Sequence, residues 1–406
     1  MAERAKRFVI VGNGVAGTTC AETLRKNDSD CEITLIGDER WPLYNRVALP
    51  PYIKGKATRE KVFLRTVEQH VQRGITLLLE TRATKINPDE QTVLLNTGQE
   101  LPYDALLVAT GGRPNPLKVA GAEGASNIFN FQYFDEAEAI LDAIHGSKRA
   151  AVTGGSYIAY ELAEGFREQG LEVYWLHRGP HFLRRVLDPE GGALVDDIAR
   201  DHGVQMLYGS TITECVRGNG KVTAIVESGG QRIDVDMVGA GLGVTLNVDL
   251  LKGLPGVEIR EGIVTNEYLE TGVPNVYAAG DMAEFFDKTI DRHNILGTWG
   301  NSIGHGRTVA MNMLGQRTAY EDIPMYSSTL FDSYIRVIGL TPETGNDLES
   351  FEHMNAQDRT YQRLFFLDGR LVGAVLIGDM RFRQRIFAAI KSREQILPDE
   401  RRKLLA

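Results

Sequence analysis

This chain of 406 residues has little of what marks the special classes of protein. It contains no uninterrupted apolar run near the ~18 residues that a membrane-spanning helix needs, and no apolar secretion signal precedes Phe8. Cysteine is scarce. Cys20, Cys31 and Cys215 are isolated, with no CxxC and no His-rich tract, so neither a disulfide framework nor a zinc site is indicated and a reducing, cytoplasmic setting is expected. Positive charge is not in excess either: 45 basic against 54 acidic residues leave a net charge of -9, which gives no overall attraction to nucleic acid. At 43% hydrophobic and 24% charged residues the chain is apolar enough to build cores rather than remain disordered. Its length suggests two or three domains. What is plentiful is glycine, 43 residues without low-complexity repeats, which points to many tight turns between strands and helices.

The first of these turns lies near the start. Arg7-Phe8-Val9-Ile10-Val11 is a short apolar strand that runs into Gly12-Asn13-Gly14-Val15-Ala16-Gly17, and a helix-compatible segment from Thr18 to Arg25 follows. A second apolar run, Glu32 to Ile36, ends at Gly37-Asp38-Glu39, which places Asp38 where a dinucleotide fold sets an acid on the adenosine ribose. A GxGxxG pattern alone is weak; joined to a strand, a helix and a correctly spaced acid it becomes specific.

The arrangement recurs. Leu106-Leu107-Val108-Ala109-Thr110-Gly111-Gly112 is a buried strand leading into glycines, and Arg149 to Thr153 opens a second strand-turn-helix at Gly154-Gly155-Ser156-Tyr157-Ile158-Ala159. The segment from Tyr160 to Gln169 reads as helix and Leu171 to Leu176 as strand. A third motif, Val276-Tyr277-Ala278-Ala279-Gly280-Asp281, delivers one carboxylate at a glycine turn. From about Pro324 the pattern changes to β-rich stretches at Tyr334 to Leu340, Leu364 to Leu367 and Leu371 to Ile377, then a basic helical segment from Phe382 to Ile396.

In this order and at these separations the motifs resemble the FAD-dependent pyridine nucleotide-disulfide oxidoreductase superfamily. The resemblance implies an α/β protein with two Rossmann-like dinucleotide-binding domains: FAD-binding over 1–115 and 247–323, NAD(P)H-binding over 116–246, and a smaller α+β C-terminal domain over 324–406. It further implies that Gly12, Gly14, Ala16 and Gly17 lie against the FAD pyrophosphate, that Asp38 and Glu39 lie at the adenosine ribose and Ala83 at the adenine. Thr110-Gly111 then corresponds to the family's ATG turn, Gly280-Asp281 holds the ribityl-phosphate region, and Trp299 begins a helix aimed at the flavin. His293 and His305 show no ligand spacing and read as surface or packing residues.

The departures narrow the reaction. Tyr44-Asn45-Arg46 followed by Leu49 is similar to the segment in which disulfide reductases carry a redox cysteine, and Arg46 stands in the cysteine's place. The pattern resembles the ferredoxin- and rubredoxin-reductase branch, including flavoproteins that accompany carbon monoxide dehydrogenase. Many members of that branch place Ser-Lys where this chain has Pro50-Pro51, so the usual flavin-side lysine is missing, and its replacement by Lys54 is left open. Cys20, inside the first helix, reads as a small buried hydrophobe.

In the second turn Ser156 and Ala159 replace the middle and last glycines, and the following strand ends in Leu176-His177-Arg178 where enzymes that use NAD usually carry an acid. The inverted charge, with Arg184 or Arg185 one loop later, favours NADP through pairing with a 2′-phosphate. The implied reaction passes hydride from NAD(P)H to FAD, with no protein side chain named as catalytic, and then passes electrons to a ferredoxin, a rubredoxin or a metalloenzyme subunit. An NAD(P)H oxidase reducing dioxygen, and a redox-sensing flavoprotein similar to apoptosis-inducing factor, are the alternatives; a homodimer is left open. Residues 381–406 hold eight basic and three acidic residues, so this tail is +5 and the other 380 residues carry -14. Arg381, Arg383 and Arg385 are expected to face an acidic partner.

Overall fold

A computed structural model describes residues 4–288, 291–342 and 347–405. The chain divides into two compact units, one formed by 1–45, 63–113 and 246–325, the other by 46–62, 114–245 and 326–406.

The first unit is built on a parallel sheet in the order Val276–Ala278, Ala105–Val108, Arg7–Val11, Glu32–Ile36, Ile75–Leu78. Successive side chains of a strand point to opposite faces. Phe8 and Ile10 therefore join Leu24, Leu35, Val309 and Ala310 on one side, while Val9 and Val11 join Val93, Leu106 and Val108 on the other. A sheet covered on both faces needs continuous rather than alternating apolar residues, which is why these strands read as unbroken hydrophobic runs. Helix Val15–Asn27 and helix Trp299–Met313 cross on the first face. Gly306 sets their approach, since a Cβ there would stand 2.3 Å from the Ala16 carbonyl oxygen. A three-stranded antiparallel sheet, Ala83–Asn87, Thr92–Leu95 and Glu100–Pro102, completes the unit.

The second unit repeats the plan with a parallel sheet in the order Val204–Tyr208, Glu172–His177, Arg149–Thr153, Met237–Ala240, Ile128–Phe129. Helix Tyr157–Glu168 follows the Arg149–Thr153 strand, starting three residues earlier than the sequence pattern suggests because Ser156 supplies the N-cap. The same unit contains a five-stranded sheet ordered Met325–Leu330, Ser333–Gly339, Arg370–Ile377, Thr360–Leu367, Glu349–Asn355. The fold is thus mixed α/β with two Rossmann-like parallel sheets.

One expectation needs correction. The basic segment read as helical to Ile396 is helical only over Arg383–Ser392. Arg393 takes a left-handed conformation (φ 57°), the Ser392 hydroxyl accepts from the Glu394 N–H, and Ile396 N–H donates to Gly369 O at 2.8 Å. Five consecutive exposed residues, Lys391 to Gln395, give the helix no buried face to continue along.

Two glycines of helix Trp299–Met313 separate packing from propensity. Gly300→Ala meets nothing within 4 Å and should be neutral or stabilising by up to about 1 kcal/mol. Gly306→Ala gains the same propensity but forces backbone apart where the helices cross, so a net loss of about 1–3 kcal/mol is expected in thermal or denaturant unfolding. Equal effects at the two positions would contradict the crossing as described.

Candidate functional site

The two glycine turns are the natural starting point. At the first, Gly12 has φ 115°, donates its N–H to Ile36 O at 2.8 Å, and has no room for a side chain: a Cβ would lie 2.1 Å from Ala109 O. Gly17 is equally constrained, since a Cβ there would lie 1.9 Å from Gly12 O. Both glycines press the helix against the strand. Gly14 differs, because a Cβ there meets nothing within 4 Å and no side chain caps the helix that follows. The first-turn N–H groups of Val15–Asn27 thus face open space at the positive end of a helix, which is the arrangement that binds a phosphate or pyrophosphate.

Other sequence candidates gather on this unit. Buried Ala16 contributes the carbonyl against which Gly306 packs, and it lies 3.4 Å from where a Cβ of Gly280 would be. Gly280 has φ 78°, and its N–H donates to His305 Nδ1 at 3.2 Å. His305 is fully buried between Phe285 and Tyr320, and burial pushes its pKa down to about 3, so it is a neutral acceptor that holds the turn carrying Asp281. Asp281 accepts from Ser302 Oγ at 3.2 Å. Thr110 Oγ1 donates to Asn247 O at 2.7 Å, and Gly111 follows at φ 60°. Asp38 is exposed and pairs with Arg82 at 3.3 Å, Glu39 accepts from the Tyr44 hydroxyl at 2.7 Å, and Ala83 opens its strand opposite Leu95. Trp299 is the first residue of its helix, capped by Thr298. His293 Nε2 lies 3.2 Å from Thr265 O, and its ring packs on Phe286. An open glycine cradle, an uncapped helix N-terminus and one carboxylate at a second glycine turn fit an anionic dinucleotide.

The second turn is built alike. Gly154 has φ 124°, and a Cβ there would lie 2.1 Å from Gly241 O. Ala159 keeps its methyl because the space comes from the partner strand's end: a Cβ on Gly241 would fall 2.5 Å from Ala159 N. Gly241 is thus the compensating glycine, invisible to a motif read along one segment. Ser156 Oγ donates to Gly241 O at 2.9 Å and accepts from Ala159 N–H, so this helix is partly capped by its own side chain. Tyr157 stands at its first position, 4.2 Å from the ring of Tyr326, and Ile158 is partly buried beside it. His177 is buried and held below its ordinary pKa by burial; its Nδ1 lies 3.2 Å from Gly179 O, and Nε2 has no partner among the described residues. Arg178 and Arg184 are exposed, and Arg178 makes no ion pair among the described residues.

Segment 46–62 belongs to this second unit. Arg46 lies over the Tyr133 ring at 5.1 Å. Lys54 is buried and pairs with Glu164 at 2.5 Å, while its Nζ also donates to Thr329 Oγ1 at 2.9 Å. Glu164 additionally accepts from Thr329 Oγ1 and from Phe331 N–H, both at 3.0 Å. Its neighbour Glu161 lines a cavity of about 420 Å³ with Pro50, Pro51 and Met380, and accepts from the hydroxyls of Tyr326 and Ser328 at 3.0 Å. Burial pushes the Glu161 carboxyl up to about 7, against the opposing pull of those hydroxyls and of Lys54. Sequence reasoning missed Glu161. Its signal was two carboxylates three residues apart on a helix otherwise rich in Tyr, Ala and Leu, which no solvated face explains.

The family profile for pyridine nucleotide-disulphide oxidoreductases matches residues 6–306. The chain belongs to that family. A second profile, the rubredoxin NAD+ reductase C-terminal domain, matches 331–394. Putidaredoxin reductase of Pseudomonas putida is 35% identical over 343 residues, covering 82% of this chain and 80% of that protein. NADH-rubredoxin oxidoreductase of Clostridium acetobutylicum is 26% identical over 96% of this chain and 95% of its own length. Nitrite reductase [NAD(P)H] of Bacillus subtilis is 27% identical over 96% of this chain, which spans 48% of that longer protein. The solved covalent putidaredoxin reductase-putidaredoxin complex superposes with a TM-score of 0.91 at 28% identity, covering 98% of this chain and 95% of that one. Within this family the chain departs in its thiols. Cys20, Cys31 and Cys215 are free and buried, and burial raises the Cys20 thiol far above its usual range and Cys215 to about 11, so none is poised as a nucleophile.

The buried pair and Glu161 have opposite consequences. Lys54→Met leaves Glu164 buried without its cation and should cost about 3–5 kcal/mol in denaturant unfolding, with much of the loss recovered in Lys54→Met/Glu164→Leu. A single variant as stable as the parent would contradict the pairing. Glu161 keeps its proton up to about pH 7 in the fold but loses it near 4.5 when unfolded, so its contribution to stability falls as pH rises through that window. The stability difference between Glu161→Gln and the parent should therefore shift in the variant's favour by at most about 3 kcal/mol between pH 4.5 and 8. A pH-independent difference would refute the raised pKa.

Proposed function

We propose that this family member is an FAD-dependent NAD(P)H oxidoreductase that delivers electrons to an iron–sulfur protein. The reading rests above all on the pair of glycine turns, one with an open cradle and an uncapped helix, the other followed by a basic rather than acidic strand end. FAD, when bound, supplies the chemistry, taking hydride from the nicotinamide and returning electrons to the acceptor. The chain's own residues bind and orient. We assign FAD to 1–115 with 247–323, NAD(P)H to 116–246 and partner contact to 324–406. Gly14 and the N–H groups of Val15–Asn27 take the pyrophosphate, Asp38 the adenosine ribose, and Asp281, fixed by Ser302 and by the His305-anchored turn, the ribityl-phosphate region.

The chain's own residues favour NADPH, whereas two of its relatives are named for NADH and for NAD(P)H. NADH is accordingly a substrate, and Arg178 with Arg184 selects for the 2′-phosphate when NADPH binds. Three free buried cysteines agree with a reducing, cytoplasmic compartment, and among the described residues no helix is long and apolar enough to cross a membrane.

The purified protein should be yellow and release FAD on acid precipitation; FMN, or flavin retained in the protein pellet, would overturn the assignment of the first unit. Arg178→Glu should raise the KM for NADPH by about ten- to a hundredfold, equivalent to ~1.5–3 kcal/mol, with little change for NADH. An equal effect on both nucleotides would make the loop plain surface. Turnover with acidic ferredoxins or rubredoxins should exceed turnover with dioxygen; the reverse ranking would make the protein an oxidase.

A further inference from the structure

The structure redistributes the roles of the tail's arginines. Arg381 is held by both oxygens of Asp379, with contacts of 3.0, 3.0 and 2.7 Å, and Arg385 donates to Lys403 O at 2.6 Å. The Arg383 guanidinium makes no hydrogen bond or ion pair among the described residues. It stands instead near Arg336, whose own guanidinium donates to Ser327 Oγ at 2.9 Å and is held below its usual pKa by burial and by the charge of Arg383. Two neighbouring guanidiniums repel unless something anionic lies between them.

Arg336 is also part of the wall of the 420 Å³ cavity, with Tyr334 and Val47 at its mouth, 58% and 52% exposed. The walls behind them are Pro50, Pro51, Ile335 and Met380. Glu161 is the one acidic residue in the lining, and buried under two hydroxyls it does not offset the arginines. An apolar hollow with exposed aromatic and aliphatic lips beside arginines that have no carboxylate partner among the described residues has the anatomy of an interface centre. The chain outside its basic tail is strongly acidic, which disfavours a long polyanion and leaves room for a small acidic surface.

We propose that this hollow and its Arg336–Arg383 rim dock a small acidic iron–sulfur protein, which inserts one apolar side chain between Val47 and Tyr334 while its carboxylates pair with the two guanidiniums. The inference rests on the electron-transfer reading and names the partner's place on the chain. Carrier binding then depends on salt, because the attraction acts through exposed charges.

The test uses the flavin-loaded protein and an acidic [2Fe–2S] ferredoxin, with binding followed by calorimetry at low salt and at about 0.5 M salt. Arg336→Glu/Arg383→Glu should weaken binding by roughly ten- to a hundredfold at low salt, while NADH-driven reduction of ferricyanide stays at the parent's rate. Arg336→Lys/Arg383→Lys, which keeps the charge, should bind within about threefold of the parent and so separates charge from folding. Unchanged binding in the glutamate variant, equal loss in the lysine variant, insensitivity to salt, no binding of the ferredoxin at all, or occupation of the hollow by a second copy of this chain would each overturn the proposal. Docking at this rim without NADH-driven reduction of the ferredoxin would leave the docking site standing and sink the functional reading; reduction that ignores the rim would do the converse.

Discussion

Backbone touches backbone where each parallel sheet meets its glycine turn, and the remainder of each unit is arranged around that contact. Where Gly12 meets Ala109 and where Gly154 meets Gly241, a Cβ would fall about 2.1 Å from a carbonyl oxygen. No side chain other than hydrogen permits this approach, and only the approach lets a helix begin directly above the ends of the parallel strands. Once helix Val15–Asn27 starts there, its first-turn N–H groups face the open ground for which Gly14 leaves room, whereas Ser156 caps helix Tyr157–Glu168. In the first unit the positive helix end and the missing side chain are one arrangement rather than two, and it is one that suits a phosphate.

Electrostatics in the second unit follows a different logic. Helix Tyr157–Glu168 carries two buried carboxylates a turn apart, and only one has a cation. The Lys54–Glu164 pair is joined by Thr329 and the Phe331 N–H, so segment 46–62, the helix and the strand Met325–Leu330 meet at a buried ionic junction. Such a junction contributes little net stability against an apolar replacement but penalises any half-broken form, which makes it a device for position more than for strength. Glu161, raised by burial and without a paired cation of its own, is a group whose protonation is open to change near neutral pH.

Much of the fold was legible in the chain. Both strand-turn-helix units, the third glycine turn and most strands of the last sheet lie where the apolar runs and glycines indicated, because sheets buried on both faces leave a continuous signal. Less legible was whatever depends on residues distant in sequence. Gly241 supplies space to Ala159 from 82 positions away. His305, read as an isolated histidine, acts through one acceptor atom on Gly280. The end of the basic helix at Ser392 rests on a left-handed Arg393, a conformation that few non-glycine residues adopt and that pattern alone does not reveal. Whether Lys54 replaces a missing flavin-side lysine was open in the sequence; its buried partner Glu164, 110 positions away, was not visible there.

The central claim is that a nicotinamide dinucleotide at one glycine turn feeds a flavin at the other, and that the electrons then leave toward an iron–sulfur centre. Anaerobic rapid mixing with NADH deuterated at its transferable hydrogen, followed by addition of an oxidised one-electron iron–sulfur carrier, tests this most directly. The account predicts loss of flavin absorbance that is slower with the deuterated nucleotide, then reduction of about two equivalents of carrier per flavin. Flavin that NADH does not bleach, or a carrier that stays oxidised while the reduced flavin gives its electrons up only to added dioxygen, would contradict it.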